Sequence, residues 1–447
     1  MHCSWITLNL SIDNNRDYCK TLKFFCFLYL KFLLLTQSYN QRDAMKGQPS
    51  TNFIKVKTII LKNRRIKKMK KHVSFLVIYF LSFQVGNMFS PPSKAQPAEG
   101  PKDVWQRPWE GVPEYYRNWD YPDFQFPADI SEWKKQRIEV RETLLKLLGD
   151  RPPLPKSLHI KTIFRKEQNG YILEKFEFDN GVDGRVPGYI AIPANLQGKA
   201  PAILGLHGHG SSKDNILGTN PDTQQDIMAL LVSNGFIVMA IDSYFNGERR
   251  GTGPAGTLEM QERGSDQEMS QFKINLWFGR SLWGMQLRDE QIALDYLTSR
   301  SEVDANRIGV TGMSMGSTRA WWLAAIDERV HAVVGVACFT RYKELIEQRY
   351  LRAHGIYYFV PGMLKYFDTE AVMGLIAPRP FLALTGDSDA GSPLSGIKVL
   401  EKKLNTVYSL YNEKEKFKSI VYPNTGHVYT DDMKFEMLRW FQKYLKP

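Results

Sequence analysis

The chain has 447 residues, 43% of them hydrophobic and 24% charged, a globular composition that excludes a disordered, collagen-like or disulfide-scaffold protein. The formal net charge is +12, but residues 1–95 hold 16 Lys+Arg against 3 Asp+Glu, which leaves the rest of the chain close to neutral and argues against a basic nucleic-acid-binding domain. Of the 4 cysteines, Cys3, Cys19 and Cys26 fall in the first 95 residues, so Cys338 alone serves the body and can make neither an internal disulfide nor a Cys-based zinc site.

Residues 1–68 contain a single Ala (Ala44) and a single Gly (Gly47) and abound in Lys, Asn, Ile, Phe and Leu. That bias is what AT-rich DNA outside a gene yields when read in frame. Met69-Lys70-Lys71 then opens a different pattern: a basic start, an apolar run over 73–83 and a small-x-small exit at Ser93-Lys94-Ala95. This is the pattern of a secretory signal peptide. A run of about eleven residues is too short to span a bilayer, which takes about 20. The competing anchor at 22–35 is interrupted by Lys23 and Lys31. The expectation is therefore an upstream extension over 1–68, a signal peptide over 69–95, a mature chain from Gln96 without a membrane span, and a periplasmic or secreted location.

Residues 96–130, rich in Pro, Trp and Tyr, read as an irregular arm on the surface. Trp133, Ile138, Leu144, Leu145 and Leu148 recur at roughly helical spacing over 131–148, with Ser131 as N-cap, Gly149 as the stop and Pro152, Pro153 and Pro155 forbidding continuation. Strands follow at 160–164, 171–178 and 187–193. Apolar runs at 202–206, 236–241, 307–311, 332–337, 380–384 and 418–422 then alternate with helices at 223–234, 285–300, 316–326, 395–405 and 431–445. Continuous apolar strands separated by helices imply a mostly parallel sheet covered on both faces. The connections 243–284 and 340–378 are long, follow strand ends where such sheets bind ligands, and are expected to shape a pocket.

The central chemical signal is Gly312-Met313-Ser314-Met315-Gly316, a G-x-S-x-G that joins a strand to a helix. A turn that tight strains the serine backbone and lifts its hydroxyl above the sheet. A serine hydroxyl needs a base, and the base a carboxylate, both expected downstream at strand ends. His427, in Asn424-Thr425-Gly426-His427, fits the base better than His331, which opens a strand, or His354, which lies in a long connection. Asp389 fits the acid, three residues past Gly386 and ahead of Ala390-Gly391-Ser392-Pro393. Asp387 is its competitor, and the loser is expected to hydrogen-bond the turn. Two backbone N–H groups should hold the oxyanion: that of Met315 and, from His207-Gly208-His209-Gly210 after strand 202–206, that of His209. His207 and His209 lack a third ligand that would make them a metal pair. No cofactor is expected. Gly251-Thr252-Gly253-Pro254-Ala255-Gly256 matches a dinucleotide loop but closes no strand, and Pro254 lacks the N–H a phosphate would use. Arg249 and Arg250 read as solvated loop charges. Of Trp277, Trp283, Trp321 and Trp322, the first two lie in a pocket-side loop and are candidates to touch substrate.

These motifs resemble the α/β-hydrolase superfamily over roughly residues 131–447, in particular its dienelactone-hydrolase-like and acetyl xylan esterase-like branches. The resemblance rests on His207-Gly208-His209-Gly210, on Asp304-Ala305-Asn306-Arg307-Ile308-Gly309-Val310 leading into the G-x-S-x-G, on Ala377-Pro378-Arg379-Pro380, on Gly386-Asp387-Ser388-Asp389 and on Gly426-His427. It implies a mostly parallel eight-stranded sheet with helices on both faces, and a catalytic triad of Ser314, Asp389 and His427. Two departures stand out. Ser317 replaces the Gly or Ala frequent after the elbow, and the nucleophile is Ser314 where true dienelactone hydrolases use Cys. Peptidase relatives carry a large gating domain, which the segment before the strands is too short to build. The expected activity is an exported serine carboxylic-ester hydrolase acting on a small-molecule or carbohydrate ester, with acetyl as the expected acyl group. Another ester class (lactone or uronate methyl ester), a peptidase and a non-catalytic binder on the same fold are the alternatives.

Overall fold

Asn169-Gly170 is a strong hairpin signal, because both central residues of a tight turn between twisted strands need positive φ. In the computed structural model Asn169 has φ 48° and Gly170 φ 81°, joining β1 (Lys161–Gln168) to β2 (Tyr171–Asp179). The described residues are 108–182, 184–219, 224–251 and 265–446, within the unit Ala95–Pro447. The upstream extension, the signal peptide, the start of the arm and the decoy loop from Thr252 onward lie outside them.

β3 (Arg185–Pro193), β4 (Ala200–Leu206), β5 (Ile237–Ile241), β6 (Val303–Met313), β7 (Ala332–Val336), β8 (Phe381–Gly386) and β9 (Phe417–Tyr422) complete one sheet in the order β1-β2-β3-β5-β4-β6-β7-β8-β9. β1, β2, β3 and β5 pair antiparallel, while β5, β4, β6, β7, β8 and β9 pair parallel. The sheet thus has nine strands where the resemblance implied eight. The addition is β1, an edge strand carrying Lys161, Arg165, Lys166 and Glu167, charges that protect an open edge from pairing.

The strands carry apolar residues on both faces because both are covered. Alternate residues enter opposite cores: Ile237, Met239 and Ile241 one, Phe236, Val238 and Ala240 the other. The first core is closed by α1 (Ile130–Leu148), α5 (Leu282–Ser299), α6 (Met315–Ile326), α8 (Thr369–Gly374) and α9 (Leu394–Leu410). The second is closed by α2 (Lys213–Leu217), α3 (Met228–Ser233) and α10 (Asp431–Leu445). The two long connections carry α4 (Ser265–Trp277) and α7 (Tyr342–Glu347). No helix among the described residues is long and apolar enough to cross a membrane.

Two expectations need correction. The cap of α1 is Asp129, which accepts from the N–H groups of Ser131 and Glu132 and from the Ser131 hydroxyl, so Ser131 is a donor inside the first turn. The arm is not wholly superficial either. Phe126 is buried with its ring centroid 4.9 Å from that of Trp133, since an aromatic chain gains more by entering the core than by lying on it.

After β4 the chain turns to β5 on one side, and β6 then lies on the other. The loops after β4 and β6 therefore flank the point where strand order reverses, which in open parallel sheets is where ligands bind, at the carboxyl ends of the strands.

Candidate active site

β6 ends at Met313 and α6 begins at Met315, leaving Ser314 as the whole connection. Its φ of 59° and ψ of −121° lie where residues other than glycine are rarely found, a strain of about 1–3 kcal/mol that the surroundings must hold. They do so by close contact. A Cβ on Gly312 or Gly316 would lie 2.3 or 1.9 Å from the Leu206 carbonyl oxygen, so β4 can approach only a glycine pair. The Ser314 N–H donates to Val336 O at 2.9 Å. The hydroxyl of Ser317 donates to Ala337 O at 2.6 Å, which gives the departure at this position a role in pinning the turn after β7.

The loop after β4 is held as tightly. His207 is fully buried, and its Nε2 accepts from the Ser243 N–H at 3.0 Å. Nδ1 therefore carries the proton and donates to Gly208 O at 2.8 Å. Burial, then the Arg319 charge, push this imidazole well below its ordinary pKa and keep it neutral. With the Gly208 carbonyl so fixed, the N–H of His209 on the same trans peptide points the opposite way. The Gly208 N–H donates to Gln225 Oε1 at 2.9 Å, and Arg319, ion-paired with Glu290, donates to His207 O at 3.3 Å. Both nitrogens of His207 are thus spent on backbone. The His209 side chain is half-exposed and meets Glu268 of α4, Nε2 to Oε2 2.7 Å, beside the Tyr357 ring.

Asp389 and His427 come from turns after β8 and β9. His427 Nδ1 lies 3.0 Å from both Asp389 oxygens, and the Gly391 N–H donates to Oδ1 at 2.8 Å. Burial lowers the His427 pKa, but its bond to Asp389 and the charge of that carboxylate outweigh this and raise it overall. Nδ1–H on Asp389 leaves the Nε2 lone pair outward, as a base requires. Asp387 accepts from the Ser388 hydroxyl at 2.8 Å and from the Thr425 N–H at 3.3 Å, tying its turn to the loop that carries His427. Cys338 is buried beside the site: burial, then the Asp389 charge, push its thiol up, against the opposing influence of the nearby Ser314 and Thr318 hydroxyls.

β8 and the His427 loop touch through Gly386, where a Cβ would meet Thr425 O at 2.0 Å. Gly386→Ala should push that loop away from Asp389. We expect a cost of about 1–3 kcal/mol in thermal unfolding, together with a larger loss of catalysis than such destabilisation explains.

The other candidates fall elsewhere. His331 stands at the start of β7, the opposite end of the strands from Ser314. His354 contacts Gly391 O. Trp283 is fully buried, stacked on Tyr357 and edge-on to Trp322, so it packs beneath the site and does not face substrate. Its flat apolar rings fill the space between α5 and α6 better than a smaller side chain would. Trp277 is 84% exposed at the end of α4. Arg249 is not solvated: it is buried, bonded to Asp289 at 2.7 Å and lying over the Tyr244 ring, because β5 and α5 close over the start of the connection. Glu268 and the clamp role of His207 were not read from sequence. Glu268 belongs to no motif, and only the packing of α4 brings it to His209.

Comparison with known proteins agrees with this architecture. The chain is 34% identical over 314 residues to "Putative hydrolase YtaP" of Bacillus subtilis (strain 168), covering 69% of this chain and 100% of that protein. A solved structure of a "putative acetyl xylan esterase" from Bacteroides fragilis NCTC 9343 superposes with TM-score 0.54 at 22% identity, over 69% of this chain and 80% of that one. A glucuronoyl esterase from Solibacter usitatus gives 0.54 at 15% identity, over 72% and 98%. The family model described as "Abhydrolase family" matches residues 112–398, starting within the arm and including both Ser314 and Asp389. By that match and by its likeness to YtaP, the chain belongs to the abhydrolase family of α/β-hydrolases.

Proposed function

We propose that this hydrolase is an exported serine carboxylic-ester hydrolase that removes acetyl groups from carbohydrate esters through an acyl-enzyme. The observation that carries the reading is the strained Ser314 at φ 59°, set at the same sheet edge as the Asp389–His427 pair. Ser314 Oγ attacks the ester carbonyl carbon as His427 Nε2 takes its proton. The N–H groups of Met315 and His209 hold the oxyanion. The intermediate collapses, and the alcohol leaves with the proton from His427. Water then gives a proton to His427 and attacks the acyl-enzyme, and a second collapse frees the carboxylic acid and restores Ser314. Asp389 keeps the imidazole in the right tautomer and stabilises its charged form without itself being protonated.

The acetyl and carbohydrate parts of the reading draw support from the B. fragilis neighbour's name. The test is a panel: p-nitrophenyl acetate, butyrate and octanoate, acetylated xylan, a methyl glucuronate ester, a lactone and an aminoacyl-naphthylamide. We expect hydrolysis of p-nitrophenyl acetate and release of acetate from xylan, with kcat/KM at least about tenfold above that for octanoate or the uronate ester. Preference for the uronate ester, the lactone or the amide would reassign the substrate, and turnover of none would make the protein a binder.

A further inference from the structure

His354 lies in the connection after β7, outside the three side chains that carry the proposed chemistry, yet it is bonded to the turn that holds Asp389. Its Nε2 is 3.0 Å from Gly391 O. A carbonyl oxygen only accepts, so Nε2 carries the proton and donates it. The same peptide unit is held from its other side, where the Ser392 N–H donates to Asp389 O at 3.0 Å. The preceding unit donates the Gly391 N–H to Asp389 Oδ1 at 2.8 Å. Gly391 packs close to both groups: a Cβ there would sit 3.3 Å from Asp389 Oδ1, near enough to nudge the carboxylate, and in ordinary contact, 3.7 Å, with His354 Nε2. Glycine is the residue with the widest backbone freedom, so a turn built on it stays put only if its neighbours hold it. The His354 ring is itself held, stacked at 20° and 4.9 Å on the buried Tyr358.

We propose that His354 is a positioning residue for catalysis: its Nε2–H fixes the Gly391–Ser392 peptide, so that the Gly391 N–H orients the Asp389 carboxylate onto His427. The proposal rests on the reading of Ser314, Asp389 and His427 as the triad. The ionisable groups around His354 are Asp389 and His427, with Tyr358 stacked against it. Burial holds the His354 imidazole down to about 4, so the donor is neutral and unchanged across the range in which His427 titrates.

The test compares His354→Phe, which keeps a ring on Tyr358 but has no donor, with His354→Gln, whose amide reaches Gly391 O, and His354→Asn, whose amide falls short. The readouts are kcat, KM and the pH profile of kcat/KM on p-nitrophenyl acetate. The Phe and Asn variants should lose about tenfold or more in kcat with KM within about twofold. Their acid limb should move to lower pH, because a loosened Asp389 no longer raises the His427 pKa as far. The Gln variant should recover most of kcat and the wild-type limb. If the Phe variant does not fold, the Gln and Asn pair decides alone. Wild-type kcat and limb in the donor-less variants, or a Gln variant no better than Asn, would overturn the positioning role. Ser314→Ala assayed in parallel separates the two failures: an active Ser314→Ala refutes the triad itself, whatever the His354 variants do.

Discussion

Ser314→Ala is expected to lower kcat on p-nitrophenyl acetate by about 10⁶, with the remaining turnover coming from the oxyanion donors and substrate binding. The size follows from the proposed mechanism. The serine, imidazole and carboxylate act as one unit, so removing the atom that forms the acyl bond leaves the other two nothing to activate. The protein should stay folded. Ala has the same Cβ as Ser, so the left-handed backbone at φ 59° carries the same strain, and Gly312 and Gly316 still pack on Leu206. The checks are steady-state kinetics on separately purified protein and a thermal melt within a few degrees of wild type. Retention of more than about a hundredth of wild-type kcat would show that Ser314 is not the nucleophile.

Asp389→Asn is expected to lower kcat by about 10⁴, and Asp387→Asn by less than about tenfold. An Asn at 389 can turn its NH₂ toward His427 Nδ1, which then accepts. The ring proton moves to Nε2, where the lone pair is needed for the Ser314 proton. Asp387 has no such leverage. It accepts from Ser388 and Thr425 within a turn, and the Asn oxygen can accept the same bonds. The pH dependence carries the same logic with a definite sign. The His427 pKa is raised overall, and the reaction needs the neutral ring. Activity should therefore rise with pH along a limb above the ordinary imidazole value of about 6.5. In Asp389→Asn the residual activity should show a limb at lower pH. Equal losses in both variants would argue that the acid has been misassigned.

How much of this was legible in the sequence depended on how local its cause was. The alternation of continuous apolar strands with helices is a periodic signal, and it placed β4 through β9 within a few residues. The elbow was legible because a strand, a G-x-S-x-G and a helix run together with no intervening loop, and because glycine is required where β4 passes within 2.3 Å of a missing Cβ. Asp389 and His427 could be read by their position after strands, since parallel strands deliver their carboxyl-terminal turns to one edge. The extra edge strand was readable as a strand, but only pairing shows that it joins the same sheet. The cap of α1 went to Asp129 because a carboxylate two residues upstream outcompetes a hydroxyl for the first N–H groups. The long connections were the illegible part. Nothing in Trp283 distinguishes a buried ring from a pocket ring, and nothing in Arg249 announces Asp289 as its partner. Glu268 and His354 acquire their contacts only from the packing of α4 and of the turns after α7, at sequence separations of 59 from His209 and 37 from Gly391.

Ser314 is the group proposed to take the acyl chain, and a fluorophosphonate reacts with such a serine in the same way. Intact-mass analysis of the labelled protein, followed by peptide mapping, reads this directly. We predict one adduct per chain, on the peptide containing Ser314, absent from Ser314→Ala and formed far more slowly by His427→Ala. An unlabelled wild type, or an adduct on another residue that persists in Ser314→Ala, would contradict it.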